Sequence, residues 1–361
     1  MSHYELRLQH DLDDIHARFG SIAARVETAI ADALRTVLTG DEDLAYRTIL
    51  ADERINREVR ELDRLCHKFV AVHLPSAGPL RRMSSVIRTN IQLERLGDYA
   101  VIISREAVQL SRPPEGSVAR ELEMTSTDAR RTLHQAITAF LEENGEVARA
   151  TMHLADTVEH TMDSIYEALL DPESSRETRD RVAMFVVFNM LKRVWDQAKN
   201  ICEETVFAVY GEQKAPRVHN ILFVDRDNGG ASQMAEAIAR KTHGERARFR
   251  SAGLDPAGAL DSRMVSFMER HGFDMSSMVP RAVADELAHL DRYYLIVSLD
   301  GPVRSRVPRV PFHTSALAWD VAAVEAETGD EETAQRFETL YRDLAVRIDD
   351  LMQVLSGSGE A

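Results

Sequence analysis

Cysteine is scarce in this chain. Its 361 residues contain two, Cys66 and Cys202, and none follows them. Two thiols make neither a disulfide framework nor a thiolate zinc site. Positive charge is also short. Against 59 Asp and Glu stand 44 Lys and Arg, a net charge of −15. That balance argues against general nucleic-acid binding, which needs a basic face. Long apolar runs are missing too. Runs such as Ile221 to Val224 and Tyr293 to Leu299 fall far below the roughly 20 residues a bilayer demands. The opening Met1-Ser2-His3-Tyr4-Glu5 has neither the basic segment nor the apolar core of an export signal. The expectation is a soluble, cytoplasmic protein. What is present is enough to fold: 44% of residues are apolar, which excludes wholesale disorder, and the length suits about two domains.

The chain changes period near residues 211–218. Before that point the apolar residues recur every three or four positions, as in Ile55, Val59, Leu62, Cys66 and Phe69, the single stripe of an amphipathic helix. Six such stretches are expected at 4–38, 42–73, 78–111, 117–142, 146–170 and 177–210. Long helices with short connections imply antiparallel bundles. The six divide into three plus three. Leu93 to Asp98 and Leu191 to Asp196 share Leu, Arg, an aliphatic and Asp at matching offsets, the mark of a tandem repeat, with repeats at 1–113 and 117–210. Residues 211–217 read as a linker.

From 218 to 355 strands and helices alternate. Strands are expected at 221–224, 247–252, 293–299 and 310–316, and helices at 232–243, 261–271 and 333–355. That order predicts an α/β domain on a small parallel four-stranded sheet. The whole is a multi-domain chain, all-α tandem three-helix bundles followed by an α/β domain, with a frayed tail at 356–361.

Two sets of residues invite chemistry. In the helical half, Glu94 and Asp98 are four apart and share a helix face, and Asp52 and Asn56 do the same one helix earlier. Together they could offer three carboxylates and an amide to one hard cation. Acids four apart are also ordinary on a solvated helix face. Residues 1–210 resemble the PhoU family on Leu93-Glu94-Arg95-Leu96-Gly97-Asp98, on Asp52-Glu53-Arg54-Ile55-Asn56, on the turn Leu74-Pro75-Ser76-Ala77-Gly78-Pro79-Leu80-Arg81, and on Arg193 to Glu203 in the second repeat. The resemblance implies a cytoplasmic regulator that meets the ATPase of a phosphate transporter and a phosphate sensor kinase. It also implies, for some members, iron or another divalent metal held by these acids. The departures weaken the metal set. Asn56 stands where Asp is usual, Ile102 where Asn is usual and Lys192 where Glu is usual, and the second-repeat acid pair is reduced to Glu159 beside Ala155.

In the α/β half, Ile221-Leu-Phe-Val-Asp225-Arg-Asp227-Asn228-Gly-Gly-Ala231-Ser232 reads as strand, tight loop and helix start, a natural anion cradle. With Met234, Ala235, Glu236, Ser251-Ala252-Gly253 and Glu269 to Asp274, it resembles the low-molecular-weight protein tyrosine phosphatase and arsenate reductase family. That chemistry needs a low-pKa thiolate, an Arg for the equatorial oxygens and an Asp as proton donor. Here Asp225 occupies the Cys position and Ala231 the Arg position, and Asp320 is the nearest acid to the proton-donor loop. A carboxylate in the cradle can accept the N–H groups itself and so mimic a bound anion, which leads to a self-occupied pseudophosphatase loop. The rival is an aspartate-nucleophile, Mg²⁺-assisted phosphatase of the haloacid dehalogenase type, opening on Asp225 and Asp227, without a downstream Lys and acid pair to complete it. A homodimer is compatible with either reading.

Overall fold

The computed structural model describes residues 3–155, 169, 177–212, 218–307, 310–311, 314–321 and 330–356. The chain divides into two compact units, Met1–Lys214 and Ala215–Ala361. The first holds six helices among its described residues: α1 (His3–Thr39), α2 (Glu42–His73), α3 (Ala77–Gln109), α4 (Gly116–Leu141), α5 (Gly145–Ala155) and α6 (Thr178–Tyr210). Each follows from its apolar stripe. On α1, Ile15, Phe19, Ile22, Val26 and Ile30 are all buried at spacings of three and four, and on α2 the same holds for Ile55, Val59, Leu62, Cys66 and Phe69. Gly40 supplies the left-handed turn after α1 at φ 71°, and the Asp41 side chain caps α2 by accepting from Leu44 N–H at 2.9 Å. Of the helix expected at 146–170, residues 156–168 and 170 lie outside the described residues, as do 213–217 of the linker and the end of the tail.

α3 packs on α1, α2 and α6, and α6 packs on α3, α4 and α5. The two third helices of the repeats therefore lie against each other. Tyr99 on α3 and Gln197 on α6 are 98 positions apart, the repeat interval, and the Gln197 amide donates to the Tyr99 hydroxyl at 3.2 Å in a buried contact. Equivalent positions of the two repeats thus meet at the interface between them.

The second unit runs β1 (His219–Asp225), α7 (Ala231–His243), β2 (Ala247–Gly253), α8 (Ser262–Arg270), α9 (Val283–Glu286), a 3₁₀ turn at Leu287–Arg292, β3 (Leu295–Ser298), a second 3₁₀ turn at Val303–Ser305, β4 (Ser315–Ala318) and α10 (Asp330–Ser356). The sheet is all-parallel in the order β2-β1-β3-β4. β1 is central, and Ile221 to Val224 are wholly buried, as a strand covered on both faces requires. β1 is longer than expected, His219–Asp225 against 221–224, and β3 is shorter, Leu295–Ser298 against 293–299. β4 begins at Ser315, not 310, since Pro311 has no N–H to give a ladder. The short helical segment from Val283 to Arg292 was not foreseen, because four- to six-residue turns leave no periodic signal.

Candidate functional site

The loop after β1 lies at the carboxyl end of the sheet, where open parallel sheets bind ligands. Asp225 ends the central strand with its side chain 6% exposed. One carboxylate oxygen, Oδ1, accepts the N–H of Asn228 at 2.7 Å, and Oδ2 accepts the N–H of Ser232 at 2.9 Å. The carboxylate thus sits where backbone donors of the loop and the first turn of α7 converge. Burial pushes the Asp225 carboxyl above its ordinary value, against the pull of hydrogen bonds from Ser232 and Asn228, and the charge of Asp227 adds to the push.

The loop around it is over-determined. Asn228 adopts the left-handed region at φ 51°, a conformation Asn tolerates better than most residues. Its fully buried side chain donates to Ser232 Oγ at 2.8 Å and accepts from the Gln233 amide and from Arg281 N–H, each at 2.8 Å. Asp227 turns back and accepts Gly229 N–H at 2.8 Å. Gly253, at the end of β2, lies so close that a Cβ there would come within 2.6 Å of the Asn228 nitrogen and the Asp227 carbonyl carbon. Beneath the loop, buried Glu236 accepts from the Ser251 hydroxyl at 2.7 Å and from Arg281 at 3.1 Å. Ala231 opens α7 and contributes no charge. Arg306 feels the charge of Asp225 but is committed to Asp300 through hydrogen bonds of 2.9 and 3.0 Å. Asp320, after β4, is exposed.

Asp225, Asp227, Asn228, Ala231 and Ser232 are therefore brought together as one loop. Gln233, Arg281 and Gly253 pack against it, and Arg306, paired with Asp300, feels its charge; none was foreseen as a site residue. Gly253, Arg281, Asp300 and Arg306 come from distant segments. Asp300, two residues beyond β3, could have been found by asking which residues follow the carboxyl ends of strands.

No thiol serves this loop from its own unit. Cys66 and Cys202 are fully buried within the helical core, and burial pushes both thiols up to about 12. Such thiols stay protonated and unreactive near neutral pH.

In the helical unit, the Asn56 amide donates to Asp52 Oδ2 at 2.7 Å. Asp52 Oδ1 faces Gly97 of α3, where a Cβ would come within 2.7 Å, and both it and Asn56 Oδ1 are buried without a hydrogen-bond partner. Burial pushes the Asp52 carboxyl up, and the charge of Asp98 pushes further, with a smaller contribution from Glu94. Hard oxygens without donors suit a cation in kind. In number they fall short: among the described residues no three of His, Cys, Asp and Glu converge in a group that could hold a metal ion. Glu159 lies outside the described residues.

Comparison with known proteins agrees with both halves. The PhoU domain matches residues 19–107, and the low molecular weight phosphotyrosine protein phosphatase family matches residues 220–353. The phosphate-specific transport system accessory protein PhoU homolog of Pseudomonas putida is 26% identical over 214 residues, 58% of this chain and 83% of that relative. The accessory protein PhoU of Escherichia coli K12 is 25% identical over 212 residues, 58% and 88% of the two chains. The crystal structure of PhoU from Pseudomonas aeruginosa covers 56% of this chain and 99% of its own, at 25% identity and a TM-score of 0.53. No helix among the described residues is long and apolar enough to cross a membrane. The chain joins a PhoU domain to a domain of the low-molecular-weight phosphotyrosine phosphatase type.

Proposed function

We propose that this protein is a cytoplasmic, PhoU-like negative regulator of phosphate uptake and phosphate-starvation signalling, acting by protein contacts on a transporter ATPase and a sensor kinase. Its relatives' description as accessory proteins of phosphate-specific transport supports the first part. In this reading the α/β domain is a pseudophosphatase, a binding module that performs no hydrolysis. Asp225 stands at the position of the family's nucleophilic Cys and Ala231 at that of its phosphate-holding Arg.

The observation that carries the non-catalytic reading is the occupied loop. Both Asp225 oxygens accept backbone N–H groups of the cradle. A phosphate would have to displace a negative charge already seated there, and Asp227 would repel it further. The same contacts weigh against the aspartate-nucleophile reading, since an attacking oxygen must be free to reach phosphorus.

Two assays on the full-length protein test this. Hydrolysis of p-nitrophenyl phosphate, with and without Mg²⁺, is expected to be nil. Mg²⁺-dependent turnover that disappears in Asp225→Asn would make the domain an aspartate enzyme. Deletion of the gene should raise a phosphate-starvation reporter in phosphate-rich medium. An unchanged reporter would remove the regulatory half of the reading.

A further inference from the structure

Outside the loop, the feature that the known relationships leave unused is a groove on the helical unit between α1 and α2, of about 600 Å³. Each of these helices carries a second seam in addition to its core stripe. On α1 the seam is Ser21, Ala24 and Thr28, all exposed. On α2 it is half-buried Leu44 and exposed Ala51, with buried Thr48 and the core residue Ile55 forming the floor between the helices. The spacings of three and four are those by which one helix receives another. The floor asks for no polar partner, because the Thr28 and Thr48 hydroxyls donate to the Ala24 and Leu44 carbonyls of their own helices at 2.8 and 2.9 Å. Small side chains leave room for a helix axis at close packing distance, roughly 8–10 Å.

The rim decides which helix. Arg25, Arg47 and Arg54 border the groove with Asp32. Asp32 is paired with Arg35 at 3.3 Å. Glu58 is shared by Arg25 and Arg54, each at 2.9 Å, so two cations face one acid. Arg47 forms no ion pair among the described residues. The rim therefore carries surplus positive charge on a chain whose net charge is −15. Leu50, the residue before groove-lining Ala51, is 73% exposed.

We propose that the α1–α2 groove docks an acidic amphipathic α-helix of a partner protein, its aliphatic seam on Ala24 and Ala51 and its carboxylates on Arg47 and Arg54. A concave slot between helices does not suit a flat lipid surface. Inorganic phosphate finds no enclosed site, because Arg47 and Arg54 are exposed. The proposal rests on the regulatory reading only for the identity of the partner; the groove and its charge stand without it.

The test uses the full-length protein and a fluorescein-labelled 21-residue helical peptide with Ala and Leu at its seam and Glu on both flanks, followed by anisotropy. The Glu peptide should bind and its Lys counterpart should not. Arg47→Glu and Ala51→Trp, both at exposed positions, should each weaken binding about tenfold or more, the effect of placing a like charge or a bulky ring in an interface. Far-UV circular dichroism confirms that both variants keep their helices. Added salt should weaken binding to the wild type, as for exposed charge pairs. Absence of Glu-peptide binding, equal binding of the Lys peptide, or binding indifferent to both variants would overturn the proposal. So would a dimer dissociated by Ala51→Trp, which would assign the groove to a second copy of the chain. These outcomes are independent of the starvation reporter, so failure of one reading does not imply failure of the other.

Discussion

The Asp225 carboxylate and the Ser232 backbone N–H, seven residues apart, meet at 2.9 Å across the mouth of the loop. With the Asn228 N–H at 2.7 Å on the other oxygen, the loop is closed around its own side chain. An anion cradle that folds onto an internal carboxylate keeps the geometry of anion binding without needing an anion.

Removing that carboxylate should reopen the cradle. In the full-length Asp225→Ser variant, tungstate or phosphate should bind at least ~10-fold more tightly than to the wild type, since two N–H donors are freed and one repelling charge is lost, each worth about 1–3 kcal/mol. Isothermal titration calorimetry reads this directly. Equal affinity in the two proteins would mean that the carboxylate does not occupy the site.

The acidity of Asp225 gives a pH signature. Its folded-state value lies above the ordinary 3.8, so the folded protein holds this proton more tightly than the unfolded chain. The associated stability is complete below the unfolded value and is lost as pH rises through the folded one. Relative to Asp225→Asn, the wild-type α/β unit should therefore lose stability as pH is raised from about 4 upward. Urea unfolding of both proteins across that range checks it. A constant difference would show that Asp225 titrates alike in both states.

Gly253 should not tolerate a side chain. A Cβ would come within 2.6 Å of backbone atoms of Asp227 and Asn228, which cannot swing aside as a flexible side chain would. Gly253→Ala should destabilise the α/β unit by about 1–3 kcal/mol, seen as a lower urea midpoint. A midpoint within error of wild type would mean that the loop yields freely.

Asp180 ties the two helical repeats. Buried in the first turn of α6, it accepts the Ser111 N–H at 2.9 Å and the Ser111 hydroxyl at 2.6 Å, beyond the end of α3. Asp180→Ala would leave both donors short of a partner and should cost about 1–3 kcal/mol in the unfolding of the helical unit. The same measurement on Ser111→Ala should cost less, because the backbone N–H of residue 111 keeps its acceptor.

Much of this could be read from short stretches of chain. The loop's self-occupation involves residues 225–232, and Asp225, Asn228 and Ser232 announce it within eight positions. Gln233 and Arg281 did not announce themselves, and Gly253 did so only as part of a family motif, not as a neighbour of the loop. Gln233 and Arg281 bond Asn228 only because α7 and the segment before α9 are folded against it, and Gly253 matters because β2 runs beside β1. The Asp52 set shows the opposite failure. Correct helical spacing placed the acids on neighbouring faces, but it could not say that Asp52 Oδ1 would be buried against Gly97 without a donor.

By itself the amino-acid sequence determined the helical and α/β halves, the tandem repeat, the parallel sheet and a carboxylate at the mouth of an anion loop, because each is a matter of period or of neighbours within a few residues. Tertiary structure alone decided that Tyr99 and Gln197 meet at equivalent positions of the two repeats. It decided that Arg306 is spent on Asp300, and that α1 and α2 leave a basic-rimmed groove between them. Those relations depend on how helices and loops distant in sequence pack, and packing distance is written in no local pattern.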